Sequence, residues 1–433
     1  EIRREAGGQR VARLAPPEFG KASRLRFATE ARFYMEVERK FFEGMKHLLH
    51  DELGVKAPVV GTADHNDGYC GYAHILSNMV LDFIDGHGYW QHPRTGSDFW
   101  IANTPMVNDP LDSTVTQFAR TPVAGLPYTI SETNHPYPAE YACEGIPILT
   151  AYCLMHDWDG IYWFTYGKGR MQEPDKGWRS SFDFSNDPVK MTHLAACAAM
   201  YHRQDVTAAK EAILRVYTED QMIDGLRMDR KERPFFDPAF PRDVALRHAT
   251  RWATSGQPSA YPEAAPLGQI EADTGQLGWY GADAGKGLVR IDTPCTQALV
   301  GFVRDGGKRT SNLAADVENE FSAVYLTSLD GRPIAEAGRM LLTATARATL
   351  SGFEWKADRK TVKDWGHAPT VIEPVSGSIT LSGLKDAKTV AITPLTAEGG
   401  PIGSASKIEV AGGGCRIPIG EVVTTWYLVE VGR

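Results

Sequence analysis

The chain has 433 residues, 42% of them hydrophobic and 23% charged, with a formal net charge of -8. A chain of this length and balance is expected to fold around two or three cores rather than one. Lys and Arg are scattered with no basic stripe, which argues against a nucleic-acid partner, and no apolar run reaches the roughly 20 residues of a membrane helix.

Residues 1–28 are charged and punctuated by Gly and Pro, and read as an irregular lead-in. The chain opens on Glu1-Ile2-Arg3-Arg4-Glu5 with no signal-peptide pattern, and reads as the middle of something longer. From Thr29 to Leu53 the apolar positions Phe33, Val37, Phe41, Met45, Leu48 and Leu49 mostly step by three and four. That spacing predicts an amphipathic helix, with Gly54 where a C-terminal cap belongs. Val55–Thr62 then reads as a buried strand.

Helix and strand alternate from there. A helix over 73–82 leads to a strand over 83–87, and a helix over 111–120 to a strand over 128–131. A helix over 139–156 leads to a strand over 160–165, and a last helix runs from Pro188 to Arg203. Apolar strands alternating with helices imply a parallel sheet covered by helices. Residues 206–266 read as a connector with a helix over 207–218. Beyond Leu267 come short β-prone runs with Gly or Asp turns, and Asp330-Gly331 is a hairpin signal. Residues 267–433 therefore predict a β-sandwich.

The chemistry concentrates at strand ends. Pro127-Tyr128-Thr129-Ile130-Ser131-Glu132 is a short apolar run ending in a glutamate, with polar and aromatic residues directly after it. A barrel enzyme presents a carboxylate in this way, from a buried strand whose C-terminal end opens onto the catalytic face. Phe83-Ile84-Asp85-Gly86-His87-Gly88-Tyr89-Trp90 and Asp159-Gly160-Ile161-Tyr162-Trp163-Phe164 repeat the pattern. Six cysteines form no C-x-x-C pair, which disfavours a zinc ribbon, a redox motif or a disulfide framework. His65, His87, His92, His135 and His156 with Asp64, Asp85 and Asp157 could supply metal ligands, but none shows a ligand spacing such as H-E-x-x-H. No metal and no cofactor is expected. Ser131 lacks a G-x-S-x-G elbow, so a serine hydrolase is disfavoured.

Residues 30–205 resemble the second half of the catalytic domain of clan A glycoside hydrolases, which are retaining, cellulase-like (β/α)8 enzymes. The segments that carry the likeness are GVKAPVVGT, DGHGYWQHP, PYTISETNHPYPAEYACEGIP and DWDGIYWFTY. SLDGRPIAEAGRMLLTATAR and the terminal TTWYLVEV look like the β domain that often follows such barrels. The resemblance implies strands five to eight of a (β/α)8 TIM barrel over 29–205, followed by the sandwich. It assigns the nucleophile to Glu132 on strand seven, and a strand-six His-x-Tyr pattern to His87 and Tyr89, the tyrosine orienting the nucleophile. Trp163 matches the aromatic floor beneath the sugar. Trp90, Asn134 and His135 are candidate sugar-binding residues, and Glu140 and Glu144 are weaker catalytic candidates on one helix face.

A retaining enzyme needs two carboxyl groups about 5–5.5 Å apart. In clan A the acid/base glutamate follows an Asn on strand four, which would precede residue 1. The single Asn-Glu pair here, Asn319-Glu320, lies in the β-rich region and does not fit. The resemblance thus implies an oligosaccharide or polysaccharide substrate and a split enzyme or fragment, with a second chain as one source of barrel strands one to four. The contrasting expectation is a non-catalytic carbohydrate-binding protein. Location stays open in the sequence, and the resemblance implies a secreted or periplasmic one.

Overall fold

A computed structural model describes residues 12–63, 71–167, 180–228 and 237–433. Helix α1 (Arg24–His47) begins earlier than its periodicity predicts, because the Ser23 side chain accepts from the Arg26 N–H and caps it. A short π-turn continues it, and Gly54 follows at φ +69°, the left-handed conformation that glycine adopts without a Cβ penalty. Next come α2 (Gly71–Asn78), β1 (Ile84–Tyr89), α3 (Thr114–Phe118), β2 (Tyr128–Asn134), α4 (Gly145–Met155), β3 (Gly160–Trp163) and α5 (Pro188–Arg203). Strands β1, β2 and β3 form a parallel sheet in chain order.

Two expectations fail here. Val55–Thr62 is extended but is no ladder strand: Val59 O accepts from the Asp82 N–H ahead of β1 at 3.0 Å and, just past the segment, Ala63 O accepts from the His87 N–H at 3.1 Å. Most of its side chains are exposed, so the packing that makes an apolar run a buried strand is missing. The stripe of α1 is also uncovered. Phe33 is 61% and Phe41 60% exposed, and of the whole helix only Arg26 and Phe27 are buried.

The connector corrects a third expectation. The segment read as a helix over 207–218 holds β4 (Ala212–Val216), which pairs in parallel with β5 (Ala249–Ala253), with α6 (Glu219–Gly225) between them. Ile213 and Arg215 are buried while their neighbours are not, a two-residue period that suits a strand. Arg215 donates to the Tyr72 hydroxyl and to the Ala119 and Arg120 carbonyls, so it pins this pair beneath the segment leading to β2.

The remaining strands are β6 (Gln269–Glu271), β7 (Leu277–Tyr280), β8 (Leu288–Asp292), β9 (Thr296–Gly301), β10 (Leu313–Val317), β11 (Ser322–Ser328) and β12 (Arg339–Thr345). Then come β13 (Ala348–Ser351), β14 (Glu354–Trp355), β15 (Val362–Asp364), β16 (His367–Ile372), β17 (Gly377–Ser382), β18 (Thr389–Leu395), β19 (Ser406–Glu409), β20 (Gly414–Ile419) and β21 (Trp426–Gly432). Nine of them form one antiparallel sheet, β19-β18-β21-β12-β11-β9-β8-β7-β6, and β10-β17-β20 form a second. The loop carrying Asp330-Gly331 joins β11 to β12, and Asp330 accepts from the Arg332 and Gly338 N–H groups.

The large sheet is covered on both faces, which is why all seven residues of β11 are buried. Val324 and Leu326 face the three-stranded sheet, while Ala323 and Tyr325 join the core of the parallel half. Val324 and Leu326 are each worth about 1.5–3 kcal/mol when fully buried. The contact is also keyed by polar groups. His193 of α5 sits with Nδ1 2.5 Å from the Tyr325 hydroxyl and Nε2 3.0 Å from the Thr345 hydroxyl. Burial holds His193 neutral, its pKa lowered to about 3. Tyr325→Phe strands one imidazole nitrogen in the core. We expect it to cost about 1–3 kcal/mol in urea unfolding with little change in the m-value.

Candidate active site

The sequence Asp85-Gly86-His87-Gly88-Tyr89 alternates along β1. A Cβ on Gly86 would lie 2.3 Å from the Tyr128 hydroxyl, and one on Gly88 2.9 Å from the Phe118 ring. The helix-facing positions are therefore glycine because β2 and α3 press against them, and Asp85, His87 and Tyr89 share the opposite face. Pairing with β2 slips between Gly86 and His87, so that Gly86 pairs with Ile130 and His87 with Glu132. The irregularity leaves Ser131 and Glu132 both on the half-exposed side, while Ile130 and Thr133 are buried.

Glu132 sits near the C-terminal end of β2 with its side chain 31% exposed. Tyr89 donates its hydroxyl proton to Glu132 Oε2, and His87 Nδ1 lies 3.7 Å from the same oxygen. His87 Nε2 is 2.8 Å from Ser131 Oγ. Asp85 lies behind them, accepting from the Thr129 and Ser131 hydroxyls. Burial raises the Asp85 carboxyl above the usual carboxylate range, and the two hydroxyl donors oppose that shift. The Tyr89 ring packs edge-on against Phe182 at 4.9 Å and Phe164 at 6.4 Å.

Glu132, His87 and Tyr89 thus meet in space. The other candidates lie elsewhere. Trp163 pairs with Thr133, on the helix side of the sheet, and lines a cleft with Thr150 of α4 and Leu194 and Tyr201 of α5. The aromatic beside Tyr89 is its neighbour Phe164. Trp90 is buried and donates from Nε1 to the Thr104 carbonyl at 2.7 Å. Asn134 is buried too, and its amide donates to the Phe164 and Phe182 carbonyls at 2.6 and 2.9 Å. It shapes the wall that carries both rings. The alternation in Asp85–Tyr89 and the hydroxyls of Thr129 and Ser131 were the signals from which the polar network could have been read. Phe182 lies far downstream and left no such trace.

His135, Glu140 and Glu144 serve the framework. Glu140 precedes the helix on which it was expected and binds Arg359 at 2.7 Å and Asn103 at 2.8 Å. Glu144 is fully buried, accepting from the Met106 N–H at 2.6 Å and the Val107 N–H at 3.0 Å, with His135 Nε2 3.5 Å away. Lack of solvent raises Glu144 to about 8 and lowers His135 to about 3. The pair is neutral at pH 7. Among the described residues no group of three His, Cys, Asp or Glu could hold a metal ion, and His65 and Asp64 lie outside them.

No protein-family model matches the chain, and no curated protein does. Among solved structures it is similar to a GH39 enzyme from Xanthomonas axonopodis pv. citri, with 9% identity and a TM-score of 0.28, over 82% of this chain and 55% of that one. It is also similar to a family 51 α-L-arabinofuranosidase from Bifidobacterium longum, with 14% identity and a TM-score of 0.21, over 98% of this chain and 65% of that one. Both are glycoside hydrolases, and the chain spans less than two thirds of either. Scores this low carry no argument, so the functional case rests on the residues around Glu132.

Glu144 makes a pH prediction. The folded chain keeps its proton up to about 8 while the unfolded chain loses it near 4.5, so this group makes stability fall as pH rises between them. His135 works at the acid end: only the unfolded chain takes up a proton between 6.5 and about 3, so stability falls as pH drops through that range. Glu144→Gln keeps an acceptor for one of the two N–H groups and turns an NH2 towards the other, so it should remove the alkaline loss in urea titrations at pH 5.5 and 8.5 while costing about 1–3 kcal/mol at both. Glu144→Ala orphans both donors and should cost about 2–5 kcal/mol at either pH.

Proposed function

We propose that the protein is a retaining glycoside hydrolase acting on β-linked oligosaccharides or polysaccharides, with Glu132 as nucleophile. The observation that carries this reading is one half-exposed carboxylate at the end of a parallel strand, beside His87 and gripped by the hydroxyl of Tyr89, whose ring packs against Phe164 and Phe182. Glu132 attacks the anomeric carbon as the glycosidic C–O bond breaks, giving a glycosyl ester. Water then cleaves that ester and restores the carboxylate. Tyr89 orients the attacking oxygen, and Phe164 and Phe182 offer apolar faces of the kind that pack on sugar C–H groups.

The first step needs a second carboxyl group to protonate the leaving oxygen and later to activate water. Asp85 does not qualify, because it is buried and both its oxygens accept from strand hydroxyls. We place the acid/base glutamate on a further set of parallel β/α units, strands one to four of the barrel, supplied by a second chain or a preceding segment. The exposed apolar stripe of α1 supports that reading, as does the outer edge of β3, with which no strand pairs among the described residues.

Activated 2-deoxy-2-fluoro glycosides test the nucleophile without needing the acid, since their leaving groups depart unaided. Peptide mass spectrometry should find one sugar on Glu132 and none in Glu132→Ala, and Tyr89→Phe should label about 10²-fold more slowly. An adduct on another residue overturns the assignment. Absence of any adduct across glucosyl, galactosyl, mannosyl and xylosyl reagents favours a non-catalytic carbohydrate-binding protein.

A further inference from the structure

We propose that Asp85 and Ser131 are positioning residues that keep a proton on His87 Nε2 and thereby turn Nδ1 towards Glu132. The effect on rate rests on the glycosidase reading above. The placement of the proton does not.

Asp85 is buried, and its two oxygens accept from Thr129 Oγ1 and Ser131 Oγ, so an ionised carboxylate here has a donor on each side. A serine hydroxyl has one proton, and Ser131 gives it to Asp85. Its oxygen then has only lone pairs to offer His87 Nε2, 2.8 Å away, so that nitrogen carries the hydrogen. The direct Asp85–His87 separation of 3.7 Å is too long for a hydrogen bond, which makes the hydroxyl a necessary bridge. With Nε2 committed backwards, the ring presents Nδ1 to Glu132 Oε2 at 3.7 Å.

The strand irregularity supplies the geometry. Asp85 faces Thr129 and His87 faces Glu132, which leaves Ser131 without a partner of its own on β1. Its hydroxyl therefore lies between the carboxylate and the imidazole. A purely structural role for Asp85, tying β1 to β2, would account for the hydroxyl bonds alone. The order Asp85–Ser131–His87 adds a preference for the proton on Nε2.

Two-bond ¹⁵N–¹H correlation spectra of the full chain labelled at histidine read the tautomer, with His87→Gln assigning the resonance. The expected result is a proton on Nε2 of the neutral ring. A neutral His87 protonated on Nδ1, or an equal mixture, overturns the proposal with no variant required. Ser131→Ala should relax the native preference towards a mixture, and an unchanged preference in that variant also counts against the bridge. On a fluoroglycoside that labels Glu132, Ser131→Ala should slow labelling about tenfold with saturation concentration held within about twofold. If no reagent labels Glu132 while the tautomer stands as stated, the glycosidase reading fails and the placement of the proton survives.

Discussion

The site depends on how closely β1 approaches the layer behind it. Gly86 and Gly88 let the strand lie against Tyr128 and Phe118, and a Cβ at either position would force the strand or one of these buried rings to shift. Because the alternate positions hold no side chain, the remaining three can all be polar and all face one way. A strand with ordinary apolar residues at 86 and 88 would stand further from α3 and lose the register that sets Tyr89 against Glu132. Two hydrogen atoms in place of side chains thus decide where a carboxylate receives its donor.

The parallel half has little else to stiffen it. Its three strands are short, and a sheet of that size is marginal unless a second layer is packed upon it. The nine-stranded sheet provides this layer through α4, α5 and the buried face of β11, with His193, Tyr325 and Thr345 fixing the relative placement by direction as well as by area. The turn between β14 and β15 adds a second attachment: Arg359 reaches Glu140, and the Ile101 N–H donates to the Lys360 carbonyl at 2.9 Å. The loops that flank β1 and β2 are therefore held from the side of the sandwich. A mobile carboxylate would lose most of the advantage of a preset donor, so the accessory sheet contributes to the site without touching it.

Local chemistry was legible in the sequence wherever a residue's neighbours along the chain are also its neighbours in space. Helix α5 begins and ends where Pro188 and Arg203 predict, because Asp187 caps it and proline suits its first turn. Glu132, His87 and Tyr89 were readable because each ends or nearly ends an apolar run. The failures share one cause, namely partners distant in sequence. Val55–Thr62 has strand composition but little to pair with, and Ile213–Val216 became a strand because Ala249–Ala253 came to lie beside it. Trp163 and Phe164 are adjacent, and only the register of β3 against β2 decides which of them turns towards the helices. Trp90, Asn134 and His135 look like site residues by type, yet their partners are Thr104, Phe164 and Glu144 in the framework.

The two sides of the molecule differ in a way that bears on completeness. Around Asp85, polar groups find partners within about one side-chain length, and the network runs from buried carboxylate to half-exposed carboxylate. Along α1 the opposite holds: Phe33, Val37 and Phe41 are exposed, and the last two line, with Phe27, Met35 and Phe42, a groove of about 740 Å³. Amphipathic helices with three or four apolar positions per two turns stay folded in proteins chiefly because that stripe is covered. The salt bridges of α1 to the far end of the connector, Arg24 with Asp224 and Arg32 with Glu219, are exposed, and pairs of that kind contribute about 0–1 kcal/mol each. They cannot replace the missing apolar contact. The polar chemistry of Glu132 is thus assembled among the described residues, whereas the apolar face of α1 is left half-exposed by them.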